Sequence, residues 1–183
     1  MIVAAARLLA RMKWWRKIVG GIAGACAVSD IQHLARLTKL RSLYLGGTQV
    51  VGHVSSLASL GSLEELWLNH TRISEVRGLS TLTRLRTLDL DHTDVRNVEP
   101  LTRLVLLETL SLRWTNVATV AALAGLTNLR ELDLSGSPVS DVSALSTLVS
   151  LRTLELGSTF VSDVSALATL VIRSDLQVHM TSV

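Results

Sequence analysis

The sequence predicts an α/β repeat solenoid, with parallel strands on a concave face and 3₁₀ or loop segments on the convex face. Three observations carry this. Leu60, Leu82, Leu104, Leu126, Leu148 and Leu170 follow one another at intervals of 22 residues. Each interval holds a period-two segment and a period-three segment. Leucine makes up 36 of the 183 residues while aromatics make up 3%, so the core is built from one repeated side chain. A unit this short cannot bury its leucines alone, and stacking neighbours supply the missing half of the core.

The elements follow in order within a unit. Leu132-Asp133-Leu134 is period two and reads as a short strand with both leucines inward. The next apolar residues, Val139, Val142 and Leu145, are spaced by three, which suits a 3₁₀ return segment. The following unit repeats this with Leu154, Leu156, Val161, Val164 and Leu167. Leu37 precedes Leu60 by 23 rather than 22, and the extra residue falls between Val50 and Val54. Six full repeats fill residues 37–169. A degenerate repeat precedes them over 15–36, in which Trp15, Ile18, Gly21, Ala23 and Cys26 stand on the same spacing. A partial repeat follows over 170–183, with Leu176 and Val178 in the places of the strand leucines.

Residues 1–14 are a basic segment. Arg7, Arg11, Lys13, Arg16 and Lys17 concentrate the positive charge in residues 1–17, and residues 18–183 carry more acid than base although the whole is +3. A cap helix with Leu8, Met12 and Trp15 on one face is one reading, consistent with a cytoplasmic chain. A secretory signal ending at Ala25-Cys26-Ala27 and a mitochondrial presequence are the others. The apolar run 18–28 is too short for a membrane span. The partial last repeat lacks a return segment, so its edge is a candidate for association.

The repeated pattern resembles the leucine-rich-repeat family, in its short 22-residue class, as in internalin-like bacterial surface proteins and a eukaryotic regulator of protein phosphatase 1. The resemblance covers residues 28–183 and lies in scaffold positions. It implies a concave binding face and no chemistry of its own. One departure is regular. Thr48, Thr71, Thr93, Thr115, Ser137, Thr159 and Thr181 stand where the family carries an inward Asn, and a hydroxyl there still bonds backbone groups at the turn.

Reading one column across the stacked units maps the concave face that the resemblance implies. The column between the strand leucines holds Tyr44, Trp67, Asp89, Ser111, Asp133, Glu155 and Gln177. Two positions further on stand Gly46, Asn69, Asp91, Arg113, Ser135, Gly157 and His179. The next column holds Gly47, His70, His92, Trp114, Gly136, Ser158 and Met180. Tyr44, Trp67, Trp114 and Phe160 therefore face solvent rather than the leucine core. Trp and Tyr dominate binding hot spots, so Tyr44, Trp67 and Trp114 are candidate anchors. Asp89, Asp91, Asp133 and Glu155, with Glu65, Glu131 and Asp175, make the face acidic around the single cation Arg113. A protein partner with a basic surface matches it.

Other chemistries find little support. The near-neutral body does not read as a nucleic-acid surface. One cysteine excludes an intrachain disulfide and a four-cysteine zinc site. There is no nucleophile elbow, phosphate loop or H-E-x-x-H motif, and no cofactor is implied. His70 and His92 stand within about 5 Å in adjacent units, beside Asp89 and Asp91. That donor set suits a transition metal, although two solvated turn histidines are the simpler reading. The expected function is protein–protein recognition on the concave face, without catalysis. A regulatory subunit docking on an enzyme such as a phosphatase, and an exported adhesin- or effector-like module, are the alternatives.

Overall fold

The computed structural model describes residues 17–19, 31–174 and 176–180. Their backbone forms a parallel sheet of eight three-residue strands, one per turn of a solenoid. In chain order these are β1 (Lys17–Val19), β2 (Ser42–Tyr44), β4 (Glu65–Trp67), β6 (Thr87–Asp89), β7 (Thr109–Ser111), β8 (Glu131–Asp133), β9 (Thr153–Glu155) and β10 (Gln177–His179). A second, two-stranded parallel sheet pairs β3 (Val51–His53) with β5 (Arg72–Glu75). The return segments are 3₁₀ turns, such as Arg77–Thr81 and Ser143–Thr147.

In the eight-stranded sheet the middle residue of β2, β4, β6, β7, β8 and β9 is a leucine, and these pair in unbroken register: Leu43↔Leu66↔Leu88↔Leu110↔Leu132↔Leu154. All are buried in one continuous core with the valines and leucines of the return segments. Each buried leucine contributes about 1.5–3 kcal/mol relative to exposure. A unit can hold so little hydrogen-bonded structure because its polar groups are satisfied by neighbours. Leu68 N–H donates to Asp89 O at 2.8 Å, and Leu112 N–H to Asp133 O at 2.8 Å. On the convex side Thr81 and Thr147 hydroxyls donate to Ala58 O and Ala124 O of the preceding turn at 2.7 and 2.6 Å.

The inward hydroxyls act as the sequence predicts. Thr48, Thr71, Thr93 and Thr115 are buried and donate to Leu45, Leu68, Leu90 and Leu112 carbonyls at 2.6 Å. Each bond closes its own turn over three residues, so the column is a set of identical local clasps. A second set opens the 3₁₀ turns: Asp141 and Asp163 accept the N–H of Ser143 and Ser165 at 2.8 and 2.7 Å. These backbone donors hold both carboxyls below the ordinary carboxylate range.

The ends depart from the 22-residue spacing. Ile18, rather than Gly21, pairs with Leu43. The β-branched Ile18 and Val19 have high strand propensity, which Gly20-Gly21 lacks. At the other end Val178, rather than Leu176, pairs with Leu154. Here the return continues as helix α1 (Ala168–Ser174), because Ala-Thr-Leu-Val-Ile-Arg lacks the turn residues of earlier units. The strand then enters two positions later. β3 holds the extra residue between Val50 and Val54, and its register against β5 shifts between Gly52 and His53. The cap-helix segment 1–14, Cys26, Val28–Asp30, Asp175 and Thr181 lie outside the described residues.

Candidate functional site

The site begins with backbone geometry. Where each strand turns outward, one residue adopts a left-handed conformation: Gly47, His70, His92, Trp114, Gly136 and Ser158, with φ from 50 to 70°. Hydrogen bonds between neighbouring units accompany it in five of the six. The N–H of Gly47, His70, His92, Trp114 and Gly136 each donates to the carbonyl of the next unit's turn at 2.8 Å. A non-glycine residue pays roughly 1–2 kcal/mol for that conformation. Glycine would be the neutral choice, yet three of the six are ring-bearing side chains.

Those rings stack along the solenoid. His70 and His92 centroids are 4.4 Å apart and 12° from parallel, and His92 and Trp114 are 6.2 Å apart at 23°. The Trp114 indole then lies over Gly136, where an added Cβ would meet its Cδ2 at 2.5 Å. Trp114 remains 47% exposed. On the strand column beside this row, Tyr44 and Trp67 stack at 4.0 Å and 7°. Glu65 accepts hydrogen bonds from Ser42 Oγ at 2.8 Å and Tyr44 Oη at 3.3 Å. Tyr44 and Trp67 are thus half-buried against each other rather than freely exposed. Phe160 stands apart on its turn, 74% exposed.

The acidic residues are held by their own turns. Asp89 accepts the Asp91 N–H at 2.9 Å, and Asp133 the Ser135 N–H at 2.8 Å. Asp91 accepts from the Ser111 hydroxyl and from Arg113 N–H at 3.1 Å. Burial raises the Asp89 carboxyl above the ordinary range. Asp91 and Asp133 push it the same way, against the Asp91 N–H bond and His70.

The eight residues singled out in the sequence gather into neighbouring groups. Tyr44 and Trp67 form the stacked pair. Asp89, Asp91 and the Arg113 backbone form a hydrogen-bonded chain. Arg113, Trp114, Asp133 and Glu155 line one open groove with Ser135, Gly136, Gly157 and Ser158. Glu155 also holds His179 Nδ1 at 2.6 Å, a pairing hidden from the sequence by the two-residue shift of β10. His70 and His92 come together as expected, but face to face. Lone pairs lie in the ring planes, so stacked rings do not aim them at a common ion. Among the described residues no three His, Cys, Asp or Glu side chains group as a metal site.

One charged column escaped the sequence reading. Arg41, Glu64, Arg86, Glu108 and Arg130 alternate in sign just before successive strands. Arg41 pairs with Glu64 at 3.1 Å, and Glu108 pairs with Arg86 and, at 3.8 Å, with Arg130. Reading one column further upstream would have found it.

The parallel one-strand-per-turn sheet, the leucine register and the clasped turns define a leucine-rich-repeat fold. Two segments, 61–103 and 127–169, match the family model for Leucine Rich repeats (2 copies). Among solved structures, an internalin (inlF) from Listeria monocytogenes is 26% identical over 99% of this chain and 55% of its own, with a TM-score of 0.86. Internalin C2 from the same species is 29% identical over 91% of this chain and 80% of its own, with a TM-score of 0.74. A leucine-rich-repeat protein from Leptospira interrogans shares the fold at 24% identity and TM-score 0.73, over 80% of this chain and 38% of its own. The chain thus spans about half the length of the first internalin, 55%. No curated protein matches it in sequence. Leucine-rich-repeat proteins generally mediate protein–protein interaction. Among the described residues no helix is long and apolar enough to cross a membrane.

Proposed function

We propose that this chain is a recognition module that binds a protein partner on its concave face and performs no chemistry itself. The ring row His70–His92–Trp114 carries the reading. Its left-handed backbone is shared by the whole column of turns and tied to the next repeat, but its side chains are not shared, since Gly47 and Gly136 fill the same place. Strained positions occupied at a cost are drawn from functional sites more often than from scaffold. The adjoining Tyr44–Trp67 stack and the acidic columns supply rigid contact area and a field suited to a basic surface.

The test is a paired affinity pull-down from the native host, read by mass spectrometry. The baits are the wild type and Trp67→Ala/Trp114→Ala, checked for unchanged circular dichroism. The expected result is a partner recovered by the first and lost by the second. Equal recovery would overturn the concave reading and shift attention to the convex side or the β10 edge.

The likeness to two internalins supports, among the three readings of the N-terminus, that of an exported module. The mass of the native protein's N-terminal peptide checks it. An intact Met1 on the mature chain would rule out a cleaved leader. No phosphatase-contact residue carries over from the family, so docking on an enzyme has no residue-level support.

A further inference from the structure

The groove beside Trp114 has a more specific chemistry than the face around it, and its interpretation rests on the concave reading above. The left-handed turn sets the Trp114 indole as one wall. Asp133 and Glu155, in successive strands β8 and β9, supply carboxylates on the strand side. Gly136, covered by the Trp114 ring, and Gly157 also line it. Asp133 is oriented by the Ser135 N–H at 2.8 Å. Glu155 is oriented by His179 at 2.6 Å. An aromatic wall and two fixed carboxylates complement a long side chain with an apolar stem and a cationic head.

We propose that this groove receives an arginine or lysine side chain from an extended segment of the protein partner. The cation lies against the Trp114 indole and is neutralised by Asp133 and Glu155. Cation–aromatic contact contributes about 0.5–2 kcal/mol depending on desolvation. Arg113 sits at the rim, where its own charge opposes the incoming cation. Its backbone, not its guanidinium, is what the structure ties to Asp91 at 3.1 Å. The Arg113 charge therefore disfavours a cationic occupant, and this gives the proposal a signature that simple apolar docking lacks.

The experiment is an NMR titration of the whole ¹⁵N-labelled chain. The probes are three capped pentapeptides, glycine throughout except for a central arginine, lysine or glutamate. The arginine and lysine peptides should shift the Trp114 indole N–H and the Gly136, Gly157 and Ser158 amides saturably at millimolar concentrations. The glutamate peptide should not. Trp114→Phe and Asp133→Asn should each weaken binding about threefold or more, while Arg113→Ala tightens it by a similar factor. Asp133→Asn keeps an acceptor for the Ser135 N–H, so its loss of binding reports charge rather than misfolding. Equal shifts from the glutamate peptide, no shifts from any peptide, or weaker binding by Arg113→Ala would overturn the proposal. The outcome is separable from the pull-down. Partner binding that depends on Trp67 and Trp114 without any basic-peptide response leaves the concave module standing and removes only this groove.

Discussion

The strand core and the turn column run side by side through the same repeats and treat sequence in opposite ways. Along the core, Leu43, Leu66, Leu88, Leu110, Leu132 and Leu154 are one residue type in one environment, all essentially inaccessible. Along the turn, six consecutive units share one left-handed backbone but carry Gly47, His70, His92, Trp114, Gly136 and Ser158. Both columns are locked by hydrogen bonds to the next unit. They differ in what lies beyond the backbone. A core side chain meets two neighbouring layers and must match them in volume. A turn side chain meets solvent on one side, so its identity is open to selection for something other than folding. The lesson is that in a repeat array the side chains that vary at constant backbone are where function is to be sought.

The largest effect should come from breaking the uniform column. Leu110→Ala empties a fully buried central position and should cost about 2–5 kcal/mol. Val178→Ala, at the half-buried end of the same column, removes less volume from a looser site and should cost distinctly less. Urea midpoints of the two variants compare them directly. Equal losses would mean that the terminal layer is packed as tightly as the middle.

This contrast also explains what was legible beforehand. The core could be read because a single side chain recurs at a spacing that no other architecture explains, and the extra residue before Val54 was visible as an interval of 23. The end strands could not be placed, since register there follows local propensity once leucine no longer marks it. Ile18 displaces Gly21 by its β-branched side chain, and helix α1 delays β10. The Asp89–Asp91 and His70–His92 neighbours are legible because they lie inside the strict array. The His179–Glu155 pair was missed because it lies outside. Only Gly47 and Gly136 in the same column point to the positive φ at which His70, His92 and Trp114 sit.

A smaller effect isolates the ring row. Gly47 and Gly136 share a left-handed φ of 67 and 70°. A methyl at Gly47 meets nothing within 4 Å, whereas one at Gly136 meets the Trp114 ring. Gly47→Ala should therefore cost only the backbone strain, roughly 1–2 kcal/mol. Gly136→Ala should cost that plus the displacement of the indole. The excess should vanish in a Trp114→Gly background, as a double-mutant cycle measures. A cycle showing no coupling would mean that the indole is not seated on Gly136 in solution.

The smallest effect concerns charge beside the same row. Burial raises the Asp89 carboxyl above its ordinary value, so the folded state holds that proton more tightly than the unfolded chain does. The sign follows directly. Below the unfolded-state value both forms are protonated and Asp89 costs nothing. The penalty grows as pH rises through the raised folded value and is complete above it. Asp89→Asn removes the ionisation while keeping an acceptor for the Asp91 N–H, so it should raise the melting temperature near neutral pH. That advantage should shrink toward zero as the pH is lowered through the carboxylate range. Loss of stability at neutral pH would show that the charge is wanted there, held by His70 across the turn, and the quiet scaffold would then extend one column less far than the core suggests.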